Sequence, residues 1–560
     1  MDAKRGRVLL RYAPLLGAPL AFLGLFFYYP LGSVLREGLP GVDDVLASPY
    51  FRRIIAFTVE QALLSTLAAV ALGFPLAYLL TRYDFPGKRL VKSLVMVPFV
   101  LPAITVALGF ILLWGRNGYA NQLLMALFNL EEPPIRILYT LWAIVLAHAF
   151  YNAPLIARTV NAAWEGLDPQ YEESARALGA SLARVFWTVT LPQLLPPLLS
   201  AMTIVFIFCF LSFPIVLTLG GARFSTLEVE IYTQAKALFN RPQAAALALV
   251  GLGFSLLFVY AYLRLGGVFA RELRAERRAR TQPLFPPWRE ALRPYRLLLW
   301  GFVLVSALLL AGPLLAVLVD SFWISTPGGK RFGLEGYRFL LQRQYEPRIG
   351  DSPLQAVLNS LKFGVGAVAI ALPVGLAVAF WVTRLRVPGR RALDALLMAP
   401  IATSSVILGL ALLRAYLQPP LAISGTAFAV IAAHAVIVYP FVVRTVAPLL
   451  LRFDRSLVEA ARALGASRLR AFWDVERPGI VPGLVVGALF AFALSLGETS
   501  ATLMLARPGL KTMPVAVYEL LSGRRGLEAA SAMSVVMIAT SALAFVLLER
   551  LGERGLRGRY

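Results

Sequence analysis

A chain of 560 residues with 58% hydrophobic residues and a mean hydropathy of +0.70 is too apolar for a water-soluble domain. Its repeated apolar runs of about 20 residues fit a helical protein that crosses a bilayer many times. The net charge of +23 does not make it a nucleic-acid binder, because Lys and Arg gather at the termini and in one central stretch, as the positive-inside rule expects. Cys209 is the single cysteine and lies in an apolar run, which excludes an internal disulfide and thiol metal chemistry.

The first apolar run, about 13–35, follows Lys4, Arg5, Arg7 and Arg11 and lacks a small-residue cleavage site, so it reads as an uncleaved first span behind a cytoplasmic N-terminus. Further runs at 54–80, 91–114, 138–160, 193–219 and 243–263 complete a first set of six. A second set follows at 297–320, 357–382, 393–413, 426–446, 479–503 and 529–549. The expected fold is therefore an all-α polytopic membrane protein with about twelve spans and both termini in the cytoplasm. Between the sets, Arg264–Arg296 carries nine Arg against three Glu, together with Pro283, Pro286, Pro287 and Pro294. It reads as a cytoplasmic linker. The expected division is a first domain at 1–265, a linker at 266–296 and a second domain at 297–560.

The two sets are copies. Tyr171–Trp187, YEESARALGASLARVFW, returns 286 residues later as Leu457–Trp473, LVEAARALGASRLRAFW, with 11 of 17 positions identical. Thr81-Arg82 with Pro86-Gly87-Lys88-Arg89 returns at offset 302 as Thr383-Arg384 with Pro388-Gly389-Arg390-Arg391, and Pro98 answers Pro400. His148 and His434 stand 286 apart, and Thr226 and Tyr232 find partners in Thr512 and Tyr518. The change of offset places a 16-residue shortening of the second half between its third and fourth spans, where a loop tolerates it. Six spans duplicated in one orientation predict pseudo-equivalent halves about an axis along the membrane normal.

A polar segment that merely joined two spans would have no reason to keep its residues in both halves. Asp168-Pro169 and Asp454 read as helix starts, an Asp oxygen capping free N–H groups and Pro suiting the first helical position. Glu173, Ala177 and Ala180 then share one helix face, and Gly179 stands where a turn or a close approach uses a residue without a side chain. Glu459, Ala463, Ala466 and Gly465 are placed alike. A second short helix, Ser181–Thr190, is expected to lead to Leu191-Pro192, where the next span begins, and its counterpart leads to Pro478.

With Glu173-Ser174-Ala175, Gly179, Val189 and Leu191-Pro192 at these spacings, the segment at 161–192 resembles the EAA loop of permeases from binding-protein-dependent ABC importers. The segment at 447–478, with Glu459-Ala460-Ala461, Gly465, Val475 and Pro478, resembles it equally, except that Arg477 replaces the usual Leu. The resemblance implies two tandem six-helix permease domains in one chain, each offering a coupling helix to a cleft of a cytoplasmic ABC ATPase subunit. Two ATPase copies and an extracytoplasmic substrate-binding protein are then the expected partners, in a bacterial cytoplasmic (inner) membrane. Neither Gly87-Lys88 nor Gly329-Lys330 has the Gly spacing or the following Ser/Thr of a phosphate-cradling loop. ATP is therefore expected to be hydrolysed on another subunit, with no cofactor, metal or catalytic residue in this chain.

Within the spans, Glu498 is the ionisable residue placed deepest, in the eleventh, and its repeat partner is Ser212 in the fifth. Intramembrane charges are costly, so a place on a polar translocation path is one reading of this pair and a helix-packing hydrogen bond is the other. His148 and His434 lack acidic or sulfur neighbours and suit helix packing better than metal binding. The first half, over most of 50–265, is similar to the fused permeases of thiamine importers. SLGETSATLMLARPGLKTMPVAVYELL of the second half resembles ferric-iron permeases as much, so thiamine or its phosphates is the expected substrate and ferric iron the alternative.

Overall fold

The computed structural model describes residues 17–84, 88, 92, 101–221, 223–269, 282–283, 294–326, 329–384, 390–418, 421–521 and 526–557. The basic residues ahead of the first span, Pro86-Gly87, Arg89, Pro98, Pro388-Gly389 and most of the 266–296 linker lie outside the described residues.

The protein is built from helices. Among the described residues, ten are long and apolar enough to cross a membrane, and an eleventh forms if the pair Ala392–Ala402 and Ser405–Ala415, bent by 98°, counts as one span. Of the expected span at 91–114 only the helix Ala103–Trp114 is described throughout. The expected span at 393–413 is not straight: Pro400 sits in a tight 3-10 turn, Ala399–Ala402, and Ser404 caps a new helix by accepting from the Val406 N–H.

Two further expected spans are broken. The helix Leu191–Phe210 stops, and Pro214–Leu219 begins a new one because Pro214 suits a first turn. At the equivalent place Arg477–Gly497 ends at Glu498, whose backbone turns to an extended ψ of 117°, and Ser500–Leu505 follows. Glu498 therefore stands in a helix break rather than inside a continuous span, and Ser212 occupies the matching break in the first half.

By contact, the chain forms two compact units that do not follow the sequence halves. One contains Leu46–Glu230 and Gly253–Asp320, and so takes in the first span of the second half. The other contains the chain up to Val45, Ile231–Leu252 and everything from Ser321 onward, and so takes in the first span of the first half.

In the first of these units Pro49–Arg82 and Leu141–Glu165 pack along each other as the main helix pair, with Leu72, Leu76, Ala153 and Ala157 buried between them and Phe302, Leu309 and Leu310 of the 294–320 helix against that cluster. Tyr119 donates to Asp320 Oδ1 at 3.0 Å, which ties the end of the 294–320 helix to the loop after Trp114. In the second unit Pro353–Arg384 and Ala427–Arg452 form the corresponding pair, and Arg477–Gly497 joins the same core around Val378, Val436, Tyr439 and Val442. Phe26 of the first span meets Phe428 edge-on at 5.5 Å, Tyr416 donates to the Leu25 carbonyl, and Arg414 pairs with Glu37. These polar ties matter in a bilayer, where helix association draws on packing and hydrogen bonds rather than on escape from water.

The duplication reaches individual bonds. The Leu227 N–H donates to Thr58 Oγ1 at 2.9 Å and the Met513 N–H to Ser360 Oγ at 2.7 Å, positions related by the offsets 286 and 302.

Candidate functional site

The two repeated polar segments fold alike. Asp168 accepts from the Gln170 N–H at 3.0 Å and Asp454 from the Ser456 N–H at 2.9 Å, so each aspartate caps its helix, Pro169–Ala177 and Arg455–Ala463. The hydrogen bond from the Ser456 N–H holds the Asp454 carboxyl below the usual aspartate range. Both helices end in the same crossed pair of bonds. Gly179 N–H reaches the Arg176 carbonyl at 2.9 Å and Ala180 N–H the Ala175 carbonyl at 3.1 Å; Gly465 reaches Arg462 at 3.1 Å and Ala466 reaches Ala461 at 3.0 Å. That closure requires a left-handed residue, supplied by Gly179 at φ +86° and Gly465 at φ +91°. A Cβ on either glycine meets nothing within 4 Å, so inside this chain the glycines serve the turn and not a close approach.

Ser181 and Ser467 then restart the helix, accepting from the Arg184 and Arg470 N–H groups at 3.3 and 3.2 Å. The short helix expected over Ser181–Thr190 is instead the first part of one long element, because a π-turn, Phe186–Thr190, carries it into the span. There the Leu191 N–H bonds five residues back, to Phe186, just before Pro192, which has no N–H and would clash with a carbonyl four back. Phe472–Glu476 and Pro478 repeat the device, with Arg477 bonding back to Phe472. Replacing the family's Leu by Arg477 leaves this backbone path intact, and its guanidinium lies 4.8 Å from the Trp473 ring centre.

Neither capped helix buries a residue. Glu173, Ser174, Glu459 and Ala460 are exposed, Ala175 and Ala461 are half-buried, Pro192 and Pro478 are exposed, and Leu191 is half-buried. The most prominent side chains are apolar: Leu178 is 89% exposed and its counterpart Leu464 is 88% exposed, next to the two glycines. Tyr171 with Leu457, and Trp187 with Trp473, are exposed as matched pairs too. The exposed apolar side chains are thus matched between the two segments. The leucines were legible as part of the repeat, but periodicity alone does not separate a docking leucine from a core leucine.

Each segment is anchored by an arginine that the sequence marked only as a repeated dipeptide. Arg82, at the end of Pro49–Arg82, donates to both carboxylate oxygens of Glu172, and Thr190 Oγ1 donates to the same carboxylate at 2.7 Å. Burial opposes the Glu172 charge, but these hydrogen bonds, with the charges of Arg82 and Arg176, hold its carboxyl below the usual glutamate range. In the second half Arg384 Nη1 bonds Glu476 Oε1 at 3.2 Å.

Away from these segments, Ser212 and Glu498 occupy matching helix breaks, and each break has a buried histidine bonded beside it. His148 bridges Ser65 (3.0 Å) and Ser212 (2.8 Å), and His434 bridges Ser495 (2.7 Å) and Thr502 (2.8 Å). Half-buried Glu498 turns one oxygen to the Ala501 N–H at 2.8 Å and so caps the short helix after the break. Among the described residues no group of three or more His, Cys, Asp or Glu side chains could hold a metal ion.

A duplicated helical membrane protein with a matched, capped and outward-facing segment in each half is a permease-type transport subunit. Residues 17–274 and 371–557 match the family model described as the binding-protein-dependent transport system inner membrane component, and the chain belongs to that family. It is a fused double permease of an ABC importer and a multi-pass inner-membrane protein, in a family whose members work with an ATPase and a substrate-binding protein. It is 28% identical over 546 residues to the thiamine transport system permease protein ThiP of Brucella suis biovar 1, covering 95% of this chain and 94% of that one. A putative 2-aminoethylphosphonate transport system permease protein, PhnU of Salmonella typhimurium, is 29% identical over 247 residues, covering 42% of this chain and 86% of that protein. Among solved structures, a bacterial ABC transporter involved in import of the acidic polysaccharide alginate aligns at 19% identity with a TM-score of 0.39, over 48% of this chain and 98% of that one.

Proposed function

We propose that this chain is the permease of a thiamine importer, forming the whole translocation path and engaging two copies of a cytoplasmic ATPase, one through each repeated segment. The observation that carries the coupling reading is the pair of segments closed by the same bonds around Gly179 and Gly465 and presenting Leu178 and Leu464 to the outside. Glu173, Ser174, Ala175, Gly179, Leu191 and Pro192 in the first domain, and Glu459, Ala460, Ala461, Gly465 and Pro478 in the second, compose the two contact elements. An exposed helix whose far end continues into a span is suited to groove docking and to passing motion into the membrane.

The domains are those of the duplication, 1–265 and 297–560, joined by the basic linker 266–296, with both termini in the cytoplasm and the ATP sites on the partner subunits. ATP-driven closure of the two ATPases then switches the path between outward and inward openings, the free energy coming from differential binding to the two states. Thiamine, or a thiamine phosphate, is supported by the similarity to thiamine permeases along both halves, whereas the phosphonate permeases match one half only. Glu498 and Ser212, at the matched breaks, are the proposed polar groups of the path, a carboxylate being suited to a cationic substrate.

The deciding experiment reconstitutes the permease with its ATPase and binding protein in vesicles and follows labelled thiamine, ferric iron and 2-aminoethylphosphonate. ATP-dependent thiamine uptake is the expected result. Uptake of ferric iron without thiamine overturns the substrate, and failure of the permease to co-purify with an ATPase overturns the coupling assignment.

A further inference from the structure

In the first half one carboxylate joins three elements. Glu172 belongs to the capped helix Pro169–Ala177, Arg82 ends the second span, and Thr190 stands at the base of the span that follows. The second half keeps the arginine and loses this arrangement. Offset 302 takes Arg82 to Arg384, whereas offset 286 takes Glu172 to Val458 and Thr190 to Glu476. The carboxylate has moved from the capped helix to the base of the span, where Glu476, with a side chain only 10% exposed, meets Arg384. The move leaves a trace: Nε and Nη2 of Arg384 are buried and have no acceptor among the described residues, although the guanidinium lies 5.7 Å from the Phe380 ring centre. Arg82 has the doubly bonded Glu172 and, 5.7 Å away, the Trp164 ring.

We propose that Arg82 and Arg384 are the positioning residues of the two coupling segments, and that exchange of their carboxylate makes the segments unequal: the first coupling helix is strapped to its second span through Glu172, while the second, among the described residues, is held through its own chain and the Arg384–Glu476 pair at the span base. Charge-assisted bonds of this kind are the strong ones, and with the Glu172 and Glu476 side chains 22% and 10% exposed they are only weakly screened by solvent. A displacement of the Pro169–Ala177 helix by its ATPase is thus passed directly to the Pro49–Arg82 helix, and the second ATPase lacks that route.

This inference rests on the coupling reading, and the test separates the two. In vesicles containing the complete transporter, E172V is expected to lower substrate uptake per ATP hydrolysed by about tenfold, the size of one lost charge-assisted bond, while the ATPase still co-purifies. E172V/T190E, which rewrites the first half in the layout of the second, is expected to recover most of that ratio because Arg82 regains a carboxylate. A merely structural role for Glu172 would change yield or melting and leave the ratio alone. An E172V protein with the wild-type ratio, or a double variant no better coupled than the single one, overturns the proposal while the coupling reading stands; loss of ATPase co-purification by the unaltered protein removes the coupling reading itself. V458E supplies the reading if E172V does not assemble. It offers an acceptor to the buried Arg384 nitrogens and so straps the second segment as the first is strapped, and it is expected to raise substrate uptake per ATP hydrolysed above the parent value, whereas an unchanged or lowered ratio overturns the proposal.

Discussion

His148 and His434 hold the same position in the two halves and are bonded through both ring nitrogens, yet they tie different things together. His148 links Ser65 of the Pro49–Arg82 helix to Ser212 in the helix break, whereas His434 links Ser495 and Thr502, which flank the break at Glu498. Both rings are buried, so replacing His148 by Ala takes the ring partner from two hydroxyls, Ser65 and Ser212, at about 1–3 kcal/mol each, whereas replacing His434 takes it from Ser495 and leaves Thr502 still donating to the Glu498 carbonyl at 3.3 Å. H148A and H434A are expected to melt well below the parent in detergent, with Gln recovering part of the loss, and chelators are expected to leave the parent unchanged. A wild-type melting temperature for H148A would remove its bridging role.

A second pair is set by contact between helices. Gly73 and Gly375 lie at equivalent points of the Pro49–Arg82 and Pro353–Arg384 helices, where the neighbouring helix comes closest. A Cβ on Gly73 falls 2.6 Å from the Ala153 carbonyl oxygen, and one on Gly375 falls 2.7 Å from Val442 Cβ and 3.1 Å from the Tyr439 carbonyl oxygen. Backbone cannot swing aside as a side chain can, so even G73A should cost about 1–3 kcal/mol by overpacking. G375A, whose nearest opposing backbone atom stands at 3.1 Å instead of 2.6 Å, should cost less. Thermal melts of both, beside G24A, where a Cβ meets nothing within 4 Å, give the comparison.

Much of this was legible in the sequence because duplication prints each signal twice. The caps Asp168 and Asp454 and the turns at Gly179 and Gly465 follow from local chemistry that two copies confirm, and the structure has them. What stayed hidden depended on neighbours distant in sequence or on hydrogen bonding that hydropathy does not see. The breaks at Ser212 and Glu498 lie inside apolar runs, so window averaging read through them; Pro214 and the sequence Gly497-Glu498-Thr499 were the only local marks. The π-turns join what the sequence divides into a short helix and a span, because Pro192 and Pro478 mark a first helical turn as readily as a π-turn. The anchor was hardest to see, since Arg82 meets Glu172 across 90 residues and its copy meets a carboxylate at a non-equivalent position. Thr81-Arg82 repeating as Thr383-Arg384 was the one available sign.

Acid should act on the first anchor. Glu172 is held below the ordinary glutamate value, so its stabilising contribution is complete above the unfolded value of about 4.3 and is lost as pH falls through the lower folded value. Little change is therefore expected between pH 7 and 5. Below that the parent should lose melting temperature more steeply than E172Q, which has no charge to lose, when the two are melted side by side across the series. Parallel curves would mean that the Glu172 carboxylate adds no net stability.

The glycines that close the two capped helices allow a finer test of the proposed coupling, because two demands on them can be told apart. Within this chain the demand is conformational alone, φ +86° at Gly179 and +91° at Gly465 with open space where a Cβ would stand. A left-handed Ala costs about 1–2 kcal/mol, Asn tolerates that region better, and a β-branched residue tolerates it worst. If the turn is the whole requirement, ATP-driven uptake should fall in the order Gly179, Asn, Ala, Val, and the Gly465 series should run in parallel. A partner backbone pressed against the glycine would reverse the first steps, since Asn is the bulkier residue and Ala the smaller. Uptake ranked Ala above Asn therefore locates a partner at the glycine itself, and Asn above Ala leaves the left-handed turn as the whole requirement on it.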